Sequence, residues 1–281
     1  MVLFGIPLYS CFSGNPILPE TQYRSQTQTF IPSSTETPGE VTGTLDPNIC
    51  LIVTPTLSPD DFYSKMCFAY NLEILSSTKV SDVVLSQAHK VVIWVFSSRP
   101  ELLQHLIDED IRLVIYNDDT TPSESTAIPS LTTPIEPPNK GAFDPIGKLI
   151  VTWDDDLICN LQDPDSDEGW SQYTVHEIAH AVYHVEILPI QKNSSTPNLA
   201  GTLTSAYASS TQNWLGEGRS EYWAEAVTAY FGVYYNPYWL PGSNITRQIG
   251  PGDLNLYEPN IYNLIKMVFG EIESGQPGCP K

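Results

Sequence analysis

Residues 173–184 read YTVHEIAHAVYH and hold three of the chain's five histidines. His176 and His180 are four residues apart, a spacing that on a helix sets both imidazoles on one face, about 5–6 Å apart. Zinc accepts neutral imidazole nitrogens at about 2.0–2.1 Å, and its catalytic sites use three protein ligands with one position left open. Glu177 leaves the same turn to the side, where its carboxylate reaches a water near the ion without having to bind the ion. The HExxH pattern therefore encodes two ligands and a general base. His184 continues the series to i+8, yet lies about 12 Å along the axis from His176 and cannot share its ion. His89 and His105 fall in helical stretches far from this motif and are expected to be structural.

A third ligand is needed. Six residues after His180 stands Glu186 rather than a histidine, and Tyr183 replaces the glycine that would accompany one. The stretch GEGRSEYWAEAVTAYF (216–231) supplies better candidates. Glu221 and Glu225 lie four apart, so both point from one helix face. Glu221 is expected to ligate, with Glu225 as the acceptor that orients a ligating histidine. Their neighbours Tyr222, Trp223, Ala224 and Ala226 make this an apolar helix, where unpaired carboxylates are costly. Glu217, between two glycines, is a weaker candidate. DPDSDEG (163–169) resembles the start of a calcium loop, but Gly169 comes one place late and Thr174 stands where the closing glutamate belongs.

The elements that must position these residues alternate along the chain. SPDDFYSKMCFAYN reads as a helix with acids in its first turn. SDVVLSQAH (81–89) reads as a short helix followed by a buried strand in KVVIWVFSS. RPELLQHLIDED places Leu102, Leu103, Leu106 and Ile107 on one helix face. IRLVIYN (111–117) and KLIVTW (148–153) read as strands, separated by a Pro-, Thr- and Ser-rich loop over 118–147. The HExxH helix is capped by Ser171 and stopped by Pro189, with Val175, Ile178, Ala179, Val182 and Val185 as its apolar stripe. Further helices are expected from Arg219 to Phe231 and from Pro259 to Ile272, the latter with Pro259 in its first turn. A few strands followed by long helices imply an α+β fold.

The 281 residues carry 33 acidic against 13 basic side chains, a formal net charge of −20. Such a surface repels phosphate backbones and anionic lipid, so neither nucleic acid nor a membrane is an expected partner. The longest apolar run, VVIWVF, is too short to span a bilayer. Residues 1–47 read as a signal-like start, MVLFGIPLYSCFSG, and a disordered Ser/Thr/Gln/Pro-rich leader. The folded domain is expected over 48–281. Without Cys11, four cysteines remain, the arithmetic of two disulfides. Cys50 is expected to pair with Cys279, since domain termini often lie close together, leaving Cys67 for Cys159. With the sequons at Asn193 and Asn244, these features imply a secreted glycoprotein, expected to be a monomer.

HEIAH, followed some forty residues later by EYWAE, resembles the gluzincins related to the catalytic domain of anthrax lethal factor. Within them the chain is most similar to uncharacterised secreted-type fungal and bacterial proteins. The likeness extends to LSPDDFYSKM, SSTKVSDVVLSQAHKVV, SSRPELLQHL and the ending LYEPNIYNLIKMVF…GCPK, and so covers 48–281. The resemblance implies a zincin-like α+β metalloprotease fold with a small mixed sheet. It implies one zinc per chain, held by His176, His180 and Glu221, with Glu177 as the base and Glu225 behind the ligands. It also implies an oxyanion-stabilising tyrosine, here Tyr207 in TSAYASS, although fourteen residues separate it from Glu221 where the family has about seven. At Tyr183 the family often has histidine.

Two functions compete. One is a zinc endopeptidase in which Glu177 takes a proton from water and passes it to the leaving amine, on a peptide or protein substrate held by strand addition at a sheet edge within KLIVTW. The other is a zinc-binding module that has lost turnover and acts in binding. An intact Glu177 and a three-ligand set favour the first, because structural zinc sites are more often closed by four protein ligands.

Overall fold

Buried Cys67 and Ala69 alternate with half-buried Met66 and Phe68 in Lys65–Ala69 (β1), and a two-residue turn at Tyr70–Asn71 joins this strand to Leu72–Ser76 (β2) as an antiparallel hairpin. In the computed structural model, residues 49–54, 63–117, 141–158, 171–188, 198–210, 218–235 and 248–272 are described. All of them lie in one unit, Asp46–Lys281. The hairpin overturns the expected helix in this segment: KMCFA is a strand, with Cys67 and Ala69 turned inward. Proline and acids at 59–61 suggested a helix start, but the period-two burial that follows is that of a sheet.

After the hairpin, Asp82–Val95 forms one helix, α1, capped by the Ser81 side chain on the Val84 amide. VVIWVF is therefore mostly helix and not the expected strand. Val84, Ala88, Val91 and Val95 are all buried and recur at helical spacing, so the apolar run continues the stripe that SDVV begins. Pro100–Asp108 is α2, with Leu102, Leu103 and Leu106 inward as expected. Arg112–Tyr116 forms β3, Gly141–Asp144 β4 and Leu149–Trp153 β5. The expected loop over 118–147 thus contains a strand, and its residues 118–140 lie outside those described.

The five strands make one sheet in the order β1-β2-β3-β5-β4. β2, β3 and β5 run parallel, and the outer strands β1 and β4 are antiparallel to their neighbours. Alternation sends Ile74, Leu113, Ile115 and Ile150 into the main core with α1 and the HExxH helix. Leu75, Val114, Tyr116, Val151 and Trp153 turn to the other face.

The remaining elements are helical except for a two-residue pairing of Tyr234–Tyr235 (β6) with Gln248–Ile249 (β7). They are α3 (Asp154–Leu157), α4 (Gln172–Val182), α5 (Leu199–Ser209), α6 (Arg219–Tyr230), α7 (Pro251–Tyr257) and α8 (Pro259–Phe269). The expected boundaries of α6 and α8 are met to within a few residues. The hairpin's second strand and the helices α5 and α7 were not foreseen. The whole is a mixed α+β fold with a small five-stranded mixed sheet, and no described helix is long and apolar enough to cross a membrane.

A disulfide joins Cys50 to Cys67. Neither expected pairing involving these residues holds, because the isolated bridge of Val53 to Met66 lays the segment before β1 directly alongside it. Cys159 and Cys279 lie outside the described residues, as do Asn193, Asn244, Pro189, Glu217 and the stretch 163–169.

Candidate metal centre

The start of α4 is fixed by an aspartate rather than by the expected cap. Asp156 of α3 accepts from the backbone amides of Tyr173 and Thr174, at 3.0 and 2.8 Å, and from the Thr174 hydroxyl. Two of the helix's orphan donors are satisfied this way. Ser171 takes a left-handed conformation with φ 57° and makes no side-chain cap. Thr174 also meets Thr152 of β5 at 3.0 Å, pinning the helix to the sheet. Burial pushes the Asp156 carboxyl up to about 6, against the pull of its hydrogen bonds from Thr174 and Tyr173. Beyond Val182 the helix widens into a π turn over Tyr183–Ile187, whose Glu186 pairs with His105 of α2. π turns inside helices are frequent at functional sites.

α6 packs across α4. The Trp223 indole donates to the Ala179 carbonyl at 2.9 Å, between the two histidines, and Trp223 is fully buried. The far side of α6 is tied down by Glu258, a buried carboxylate at the start of α8 that accepts from the Tyr222 and Ser210 hydroxyls.

These contacts bring three donors to one point. The Nε2 atoms of His176 and His180 are 3.0 Å apart, and the Glu221 oxygens lie 3.3 Å from the first and 3.4 Å from the second. A tetrahedron with arms of 2.0–2.1 Å has edges of about 3.3 Å, so the spacing suits one zinc-sized ion. His176, His180 and Glu221 are the group among the described residues able to hold a metal in this way. The charges agree. Burial pulls the His176 imidazole down, but hydrogen-bonded Glu221 and the charges of Glu177 and Glu225 outweigh it and raise it to about 9. Hydrogen bonds from His176 and His180 hold the Glu221 carboxyl well below the usual range. The residues fit a divalent cation with imidazole and carboxylate preferences.

Both histidines are backed on their other ring nitrogen. His180 Nδ1 is 2.8 Å from Ser220 Oγ, leaving its Nε2 turned toward His176 and Glu221. His176 Nδ1 faces Glu225 Oε1 at 3.9 Å, and Glu225 in turn takes a hydrogen bond from Tyr234. Burial raises the Glu225 carboxyl. Glu177 is 6% exposed. Its carboxyl is raised by burial, with His176 and His180 pulling the other way and the backbone of Phe143 in β4 hydrogen-bonded to it.

Sequence reasoning had placed His176, Glu177, His180, Glu221 and Glu225 here, and the fold brings all five together. It missed Ser220, Tyr234 and the β4 backbone. Ser220 could have been found as the polar residue directly before Glu221, whereas Tyr234 and Phe143 carry no local signal. Tyr207, on α5, packs edge-on against Tyr222 with ring centroids 5.4 Å apart and is 39% exposed. His184 is exposed beside Phe143, and His89 is buried in α1. The strand expected at the sheet edge, KLIVTW, is interior, and the edge beside α4 is β4.

No family model and no curated protein matches the chain. Among solved structures, the PRO-PRO endopeptidase from Paenibacillus alvei superposes over 67% of this chain and 92% of its own, with a TM-score of 0.40 and 15% identity. A likeness that slight assigns no family.

Proposed function

We propose that this chain is a zinc-dependent metalloendopeptidase whose ligands are His176, His180 and Glu221. The observation that carries the reading is the convergence of those three donors beside a buried carboxylate, Glu177, on the same helical turn. Bound zinc supplies Lewis acidity, which makes water a nucleophile near neutral pH and polarises a peptide carbonyl. Glu177 takes the proton from the attacking water and returns it to the leaving amine, a role suited to a carboxyl raised by burial. Glu225 and Ser220 hold the two imidazoles in orientation. Tyr207, exposed and packed on the residue after Glu221, is the candidate donor to the developing oxyanion. An extended peptide adds to the outer edge of β4, the strand against which Glu177 rests. We assign residues 1–47 to a leader and 48–281 to the peptidase domain. A secreted location accords with the Cys50–Cys67 disulfide, since such bonds persist in oxidising compartments.

The test is the zinc content of dialysed protein, followed by digestion of a mixed peptide library. About one zinc per chain with new peptide termini supports the reading. One zinc and no cleavage leaves a zinc-binding module, and no zinc after reloading ends the proposal.

A further inference from the structure

Gly141 opens β4 and pairs with Thr152 of β5. A Cβ built on it would stand 2.7 Å from both Cγ and Oε1 of Glu177, and 3.1 Å from its Cδ. Carbon atoms settle at about 3.5–4.0 Å, so no side chain fits there while Glu177 stays where it is. The backbone does not demand glycine at this position, because its φ lies outside the left-handed region, unlike Gly218, Gly232 and Gly270. The demand is spatial. The Cγ of Glu177 is placed by its first side-chain torsion, so relief requires a different rotamer rather than a small shift of a flexible end. That rotamer would abandon the hydrogen bond from Phe143, two residues along the same strand. The flanking Val175, Ile178 and Ala179 are buried, which leaves the helix itself no freedom to retreat.

We infer that Gly141 is a positioning residue: its bare Cα forms a recess in the edge strand that seats the Glu177 carboxylate at the metal centre. The inference rests on the reading of Glu177 as the general base. It joins the base and the substrate strand in one element, because the edge that would bind a peptide is the edge that locates the proton acceptor.

Gly141→Ala is the test, compared with wild type, Glu177→Gln and the double variant. Zinc affinity, measured by competition with a chromophoric chelator, stays within about twofold of wild type, because the nearest atoms to the added Cβ all belong to Glu177 and not to a ligand. The crystal structure shows Glu177 in a new rotamer without the Phe143 hydrogen bond. Cleavage of the library peptides falls by about 100-fold or more in kcat, within the range for loss of a general base, with KM little changed. The double variant is no slower than Glu177→Gln alone. A Gly141→Ala structure with Glu177 unmoved, or a wild-type kcat, overturns the inference. If Glu177→Gln cleaves like wild type, it is the base assignment that falls, and the rotamer in the Gly141→Ala structure still decides the recess. Should Gly141→Ala fail to fold, Gly141→Ala/Glu177→Ala, which lacks the clashing atoms, must regain the fold. If it does not, the recess is not what requires glycine.

Discussion

Ser220 Oγ lies 2.8 Å from His180 Nδ1, while Glu221, the next residue, reaches to 3.4 Å from the Nε2 of the same ring. One turn of α6 therefore addresses both nitrogens of one imidazole. A hydroxyl that accepts from Nδ1–H selects the tautomer whose Nε2 lone pair is free to ligate. Ser220→Ala is expected to weaken zinc binding by about 10-fold, at the lower end of what losing an orienting partner costs, and Ser220→Thr to retain most of it. Chelator competition measures both. Equal affinities for all three proteins would show that the serine contact is incidental.

Glu177→Gln removes the proton acceptor but no ligand. Its zinc content should match wild type while kcat drops by about 100- to 10,000-fold, the usual contribution of a general base. Steady-state cleavage of a library-derived peptide checks this, and undiminished turnover places the base elsewhere.

Asp156 predicts a pH signature in stability. Its carboxyl titrates near 6 in the fold, above the ordinary value of 3.8. Below about pH 4 both states hold the proton and burial carries no charge penalty. Between about 4 and 6 the unfolded chain has lost that proton while the fold retains it, so stability falls as pH rises. At 1.36 kcal/mol per unit the loss is about 3 kcal/mol. Asp156→Asn cannot titrate, so the wild-type advantage over it should shrink between pH 4 and 7 in denaturant titrations. An advantage that grows with pH would mean that the amides of Tyr173 and Thr174 favour the charged form more than burial disfavours it.

The Cys50–Cys67 bond closes a loop of 17 residues' separation, for which chain entropy gives about 3 kcal/mol. Cys50→Ser/Cys67→Ser should be destabilised by that order, and peptide mapping without reduction should recover the two cysteines linked. Recovery of Cys50 joined to Cys279, or of Cys67 joined to Cys159, would restore the pairing suggested by the chain ends.

The centre was far more legible in the sequence than its surroundings. His176 with His180 and Glu221 with Glu225 were readable because each pair sits at helical spacing, which converts directly into geometry, and Glu177 because it directly follows the first histidine. VVIWVF misled because a β-branched run carries no period of its own, and only its phase with Val84 and Ala88 reveals the helix. β1 misled through Pro59 and its neighbouring acids, which lie ahead of a strand. GAFD was too short to stand out beside a Pro-rich stretch. The contacts that complete the site, Gly141 and Phe143 on Glu177 and Tyr234 on Glu225, join residues tens of positions or a whole turn of structure apart. Those are decided by packing, which no local pattern encodes.

Glu221 follows His180 by 41 positions, and the two meet only when α6 lies across α4. An unfolded chain keeps the local histidine pair but scatters the third donor. An ion that needs all three thus acts as a thermodynamic rivet between distant stretches of chain. Each tenfold excess of free metal over its dissociation constant adds about 1.4 kcal/mol to the folded state. Withdrawing metal should accordingly loosen the seam between the two helices before it disturbs the sheet, where β2, β3 and β5 are held without help from the ion.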